Sequence, residues 1–155
     1  MKIKQQIERK FLVKELPDLS DWKKEEIQQW YLIEPNYIES IRVRLYGDGR
    51  CYIDVIRGFG LEREKYGRES NWKYFKDKID KHPSIKKTRY KKSFDNILMV
   101  IDVFEDGLQL VEIESYDGDS NIKNFEIPEW FGEEVTEKMI YTNNWLAYHK
   151  KDNNQ

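Results

Sequence analysis

Ser40-Ile41-Arg42-Val43-Arg44-Leu45 alternates apolar and basic side chains with a period of two. Successive side chains of an extended strand point to opposite faces, so Ile41, Val43 and Leu45 share one face and Arg42 and Arg44 the other. The alternation recurs on both sides of this stretch. Near the start of the chain Ile3, Ile7, Phe11 and Val13 lie opposite Lys4, Gln6, Glu8 and Lys10. Further on, Arg63, Lys65 and Gly67 share a face, as do Lys87, Arg89 and Lys91, while Val111 and Ile113 oppose Glu112 and Glu114. Strands are expected near 3–14, 27–33, 38–47, 50–57, 61–69, 85–92, 97–105 and 108–116. Gly47-Asp48-Gly49 and Glu105-Asp106-Gly107 mark hairpin turns, and Asp117-Gly118-Asp119 ends the last long strand. Ser70 is placed to cap a helix over 71–81, with Trp72, Phe75 and Ile79 at helical spacing. A short helical segment is expected at 120–125 and a terminal helix at 143–150. The pattern predicts an α+β domain: an eight-stranded antiparallel sheet, highly curved or closed into a barrel, with a few covering helices.

Composition narrows the function. Of 155 residues, 36% are charged, 39% hydrophobic and 14% aromatic, a mixture that supports a folded core rather than a disordered chain. Lys plus Arg number 27 against 29 Asp plus Glu, which gives a net charge of −2 and removes the overall basic footprint of a nucleic-acid binder. Cys51 is the single cysteine, so neither an internal disulfide framework nor a cysteine-based zinc site is available, and His82 and His149 are the only histidines. No apolar run approaches the ~20 residues of a membrane helix. The opening MKIKQQIERK reads as lacking a signal-peptide core. A cytoplasmic single domain over 1–150 is expected, with 151–155 as a disordered tail and with no membrane or nucleic-acid partner.

The charged faces admit two readings. In one, they are the wet side of an ordinary antiparallel sheet. In the other, they line the lumen of a barrel whose apolar outside packs on helices. A membrane barrel also has a polar lumen, but the strand lengths and covering helices argue against it. Mixed charge in a lumen has a chemical use: cations orient phosphate oxygens, and clustered carboxylates bind hard divalent cations. The two together suit a polyphosphate held with metal.

Several segments, in order along the chain, resemble the CYTH superfamily, the triphosphate tunnel metalloenzymes. Gln6-Ile7-Glu8-Arg9-Lys10 is similar to the family's opening Glu-any-Glu-any-Lys motif. Arg42-Val43-Arg44 resembles its paired-arginine strand and Lys87-Thr88-Arg89 its Lys-any-Arg strand. Asp102-Val103-Phe104 and Glu112-Ile113-Glu114 resemble the later acidic strands, and Trp130-Phe131-Gly132-Glu133-Glu134-Val135-Thr136 the C-terminal signature. The likeness covers about residues 3–148.

The resemblance implies an eight-stranded barrel with a charged tunnel, and Mg²⁺ or Mn²⁺ as cofactor. Members hydrolyse inorganic triphosphate, thiamine triphosphate or nucleoside triphosphates, or cyclise ATP. By position, Glu8, Glu112 and Glu114 are expected as metal ligands, with Gln6 and Asp102 as secondary candidates. Lys10, Arg42, Arg44, Arg57, Lys87 and Arg89 are expected to bind phosphate, and Lys10 and Glu8 to serve catalysis. The chain departs from the family at Gln6, at Lys65 and Gly67, where the family carries acids, and at Val100. Lumen cations therefore outnumber lumen acids. The expected function is metal-dependent hydrolysis of a triphosphate. An adenylate cyclase and a catalytically weakened module that binds polyphosphate or nucleotide are the alternatives, and a homodimer stays open.

Overall fold

The computed structural model describes residues 2–94, 97–116 and 120–153. The Asp117-Gly118-Asp119 turn and the last two residues of the expected tail lie outside them. Eight strands run along the chain: β1 (Lys2–Val13), β2 (Lys23–Tyr31), β3 (Glu39–Tyr46), β4 (Cys51–Arg57), β5 (Glu62–Ser70), β6 (Ser84–Phe94), β7 (Ile97–Phe104) and β8 (Gln109–Tyr116). They hydrogen-bond in the order β5-β4-β3-β2-β6-β7-β8-β1, all antiparallel, and β1 pairs back onto β5. The sheet therefore closes, which removes its exposed edges. The closing seam is half a strand long: Lys2–Ile7 pair with β5, while Phe11 and Val13 pair instead with a short ninth strand, β9 (Phe131–Glu134).

The two expected hairpins form where the turn residues placed them. Gly49 and Gly107 adopt the left-handed backbone, with φ of 97° and 95°, that the turns demand and that other residues pay for in strain. Closure turns the alternation into an inside and an outside. The outer face of β1, β7 and β8 carries Ile7, Phe11, Met99, Ile101, Val111 and Ile113, which pack under Ile122 and Phe131. Trp130 and Phe131 thus cover the barrel from outside. Trp30, Val43 and Cys51 form a second outer patch, beneath Trp72, Phe75 and Ile79.

That second cover differs from expectation. Instead of one helix over 71–81 the chain makes two 3₁₀ turns, Trp72–Tyr74 and Ile79–Lys81, and the cap is the Asn71 side chain, which accepts from the Lys73 amide. The aromatic spacing suits both geometries; the first turn half-buries Trp72 and the second buries Ile79 without a continuous helix. Ser120–Asn124 and Met139–Tyr141 are also 3₁₀. One α-helix, α1 (Asn143–Asn153), crosses the barrel end where Tyr31, Ile85, Phe104 and Leu110 pack with Leu146 and Ala147. No described helix is long and apolar enough to cross a membrane.

Gly67 illustrates how tightly the interior is filled. It pairs with Asp54 across β4 and β5, and a Cβ there would lie 2.7 Å from Asp54 Oδ1. Gly67→Ala is expected to destabilise the fold by ~1–3 kcal/mol, as overpacking does. Urea denaturation measures this, and an unchanged midpoint would contradict the packing described.

Candidate active site

β1 and β8 set the acidic wall. Their register places Glu8 opposite Glu114 and Lys10 opposite Glu112. All four side chains point into the barrel, and all are buried. One carboxylate oxygen from each of Glu8, Glu112 and Glu114 lies within 4.8 Å of the others. Like charges this close in a shielded space favour a proton or a cation between them. Burial pushes the Glu8 carboxyl up to about 7; Arg63 opposes the shift and the charge of Glu112 adds to it. Glu114 is raised by burial and by Glu112. Lys10 Nζ stands 3.6 Å from Glu112 Oε1 and donates to the Tyr141 carbonyl at 3.0 Å.

The basic wall is built on two buried aspartates. Asp102 accepts from Arg89 through both oxygens, at 2.8 and 2.9 Å, and from Lys87 Nζ at 2.9 Å. Burial alone would raise its pKa, but Arg89 and Lys87 hold it well below the usual carboxylate range. Asp54 does the same for Arg42 and Arg44, at 2.9 and 3.3 Å. Each aspartate neutralises one charge and orients two cations, so the basic wall retains surplus positive charge. Lys65 lies beside this second group. Burial, together with Arg42 and Arg44, lowers its ammonium to about 6.

Between the walls lies a cavity of about 230 Å³, lined among others by Glu8, Lys10, Arg42, Arg44, Arg63, Lys65, Arg89, Glu112 and Glu114. Asn36, Phe59, Thr136, Asn143 and Asn144 also border it. The first two residues of α1 thus border the cavity.

No protein-family model matches the chain. An inorganic triphosphatase of Nitrosomonas europaea is 36% identical over 149 residues, covering 92% of this chain and 96% of that protein. The chain belongs to the CYTH superfamily of triphosphate tunnel metalloenzymes. A crystal structure of an inorganic triphosphatase matches with a TM-score of 0.66 and 32% identity, over 92% of this chain and 93% of that one. A putative adenylate cyclase from Bacillus halodurans shares the fold, with a TM-score of 0.55 and 14% identity over 79% of this chain and 85% of its own.

Within this CYTH barrel most expected site residues converge: Gln6, Glu8, Lys10, Arg42, Arg44, Arg89, Glu112 and Glu114 all border the cavity. Three corrections follow. Arg57 points away from the lumen; it is exposed and pairs with Glu39 at 3.3 Å. Lys87 faces inward but does not border the cavity, because its ammonium is held by Asp102 and, at 2.8 Å, by Asn143 Oδ1. Burial and Arg89 lower that ammonium to about 7. Asp102 sits between Arg89 and Lys87, outside the carboxylate cluster, so it serves the cations instead of a metal. Asp54 was not anticipated. The Gly47-Asp48-Gly49 turn carried the signal: a hairpin centred on Asp48 pairs Arg42 with Asp54 and Glu39 with Arg57.

Arg57→Ala is expected to leave tripolyphosphate affinity within about twofold, whereas Arg42→Ala weakens it at least ~10-fold, the scale of one lost charge-assisted contact. Calorimetric titration in chelator separates the two; an equal loss would put Arg57 back at the site. Lys65 gives a pH signature. At pH 8 it is mostly neutral in the free protein, and a bound polyanion favours the ammonium, so binding takes up about one proton more than in Lys65→Met. Titration in buffers of different ionisation enthalpy reads this number, and equal uptake by both proteins would remove Lys65 from contact with the anion.

Proposed function

We propose that the chain hydrolyses inorganic triphosphate with a bound divalent cation, Mg²⁺ or Mn²⁺. One observation carries this reading: a cluster of three carboxylates faces paired guanidinium groups across a single small cavity. The identity with the Nitrosomonas europaea triphosphatase over nearly the whole chain supports it. At about 230 Å³ the cavity falls below the ~300 Å³ at which pockets begin to enclose organic ligands, and its walls are polar. That space suits a chain of phosphates without sugar or base, which favours hydrolysis over cyclisation of ATP.

The residues present fit a hard cation. Glu8, Glu112 and Glu114 supply three buried carboxylates close enough to converge, with more negative charge than Lys10 and Arg63 offset locally. When bound there, the cation offsets phosphate charge and polarises the phosphoryl group toward attack. Arg42, Arg44 and Arg89 hold the phosphate oxygens, their forks already oriented by Asp54 and Asp102. Orientation before binding lowers the entropy lost on reaching the reactive geometry. Lys10, tethered to the Tyr141 carbonyl at the border of the acidic cluster, neutralises charge that develops on the oxygen nearest it. Water adds at one phosphorus, the P–O–P bridge breaks, and pyrophosphate and orthophosphate leave.

The test is phosphate release from tripolyphosphate with Mg²⁺ and with Mn²⁺, beside ATP and thiamine triphosphate. Tripolyphosphate is expected to be the best substrate, chelator to abolish turnover, and Glu114→Gln to reduce kcat by at least ~100-fold. Tight binding in chelator with no turnover of any substrate under either metal would show a binding module instead.

A further inference from the structure

The acidic wall is interrupted by a cation that the reaction described above does not use. Arg63, from β5, reaches across the closing seam and donates one guanidinium nitrogen to both Glu8 Oε2 and, at 3.0 Å, Gln6 Oε1. Gln6 completes the bridge by donating to Glu114 Oε2 at 2.8 Å. The register fixes this arrangement, because β1 pairs Gln6 with Arg63 on one side and Tyr116 on the other. Gln6, Glu8 and Glu114 are buried, so the network is not a passing surface contact. An amide is the group that fits at position 6: it accepts from the guanidinium and donates to the carboxylate, whereas a carboxylate could not donate to Glu114.

The seam therefore offers a second metal ion nothing to bind. On the acidic side the three carboxylates form one cluster. Toward β5 the next groups are the amide of Gln6, the guanidinium of Arg63 and the amine of Lys65, and beyond them stand Arg42 and Arg44. A second divalent ion placed there would meet positive charge and one neutral oxygen already engaged. We infer that this site takes one divalent cation per chain, and that the Arg63 guanidinium, bridged to Glu8 and Gln6, holds as fixed positive charge the place a second ion would need. The inference rests on the metal site proposed above. It makes Arg63 a residue with two opposed effects. The guanidinium competes with the metal for Glu8, and it adds attraction for the phosphate chain that the metal accompanies.

The experiment is Mn²⁺ titration of the full chain at pH 8, followed by electron paramagnetic resonance and calorimetry. One Mn²⁺ per chain with the six-line spectrum of an isolated ion is expected. Two ions with a spin-coupled spectrum would overturn the inference and leave the metal-dependent reading standing; no bound Mn²⁺ would overturn both. Arg63→Gln is expected to shift the two affinities in opposite directions, about tenfold tighter for Mn²⁺ and about tenfold weaker for tripolyphosphate in chelator, as removal of one close charge predicts. A merely structural Arg63 would weaken both, and that result too would overturn the inference. Arg63→Glu, checked for folding by circular dichroism, is expected to raise the stoichiometry to two. A folded Arg63→Glu variant that still takes one ion would show that Arg63 does not hold that place.

Discussion

A charge inside a closed sheet needs a counter-charge within contact distance, and the rest of this structure depends on how that requirement is met. Desolvating an ion costs several kcal/mol even after relaxation, and one missing partner leaves that cost exposed. Two aspartates meet it for the basic wall. Asp54 serves Arg42 and Arg44, and Asp102 serves Arg89 and Lys87. Because each carboxylate is shared by two cations, the wall is at once stable enough to fold and positive enough to attract an anion. The acidic wall is arranged the other way, with Glu8, Glu112 and Glu114 against Lys10 and Arg63. Charge is thus segregated across the cavity, and neither side is neutral by itself. In the proposed reaction, polyphosphate and metal complete what the fold leaves open.

The surrounding architecture keeps this segregation rigid. Pairing with β8 on one side, and the Glu8–Leu61 and Val135–Lys10 backbone hydrogen bonds on the other, fix Glu8 and Lys10. At one end α1 and the apolar ring of Tyr31, Ile85, Phe104 and Leu110 exclude water behind Lys87, whose ammonium is consequently fully enclosed. Asn143 at the start of α1 accepts from that ammonium, so the helix that plugs the barrel is also tied to the basic wall. Displacement of α1 would open the end of the barrel and remove an acceptor from a buried cation together.

Much of this was legible in the chain because a strand has a strict period. Once Arg42 and Arg44 share a face, Val43 must take the other, and the same parity placed Glu8 with Lys10 and Glu112 with Glu114. The two glycine turns fixed both hairpins. The failure at β4 has the same origin as the successes. Tyr52-Ile53-Asp54-Val55-Ile56-Arg57 contains one acid and one base three positions apart, so they lie on opposite faces, and the strand's apolar residues occupy both parities. Likeness to the family placed Arg57 inside; the hairpin register placed Asp54 there instead. Strand parity puts Lys87 on the inward face, but what its ammonium binds depends on Asn143, which is 56 residues away and is set by how α1 packs. The segment at 71–81 was ambiguous because Trp72, Phe75 and Ile79 reach the same outer patch from one helix or from two 3₁₀ turns.

The comparison with the cyclase-like structure separates the barrel from its chemistry. At 14% identity the two chains share the fold, so the fold does not depend on most of the sequence. What it does require is apolar residues at the outward parity, where Ile101, Val111 and Ile113 are fully buried. The inward parity carries little of that burden once its charges are paired, and it is therefore free to vary. A reaction is written on this fold by choosing which inward positions hold acids and which hold cations. Gln6, Arg63 and Lys65 show the choice being made in one place: neighbours across the seam between β1 and β5, all pointing inward, tilt the cavity toward positive charge without moving a strand. Substrate and metal demand in such a barrel follow from the parity of a few side chains, and the backbone sets only where those side chains meet.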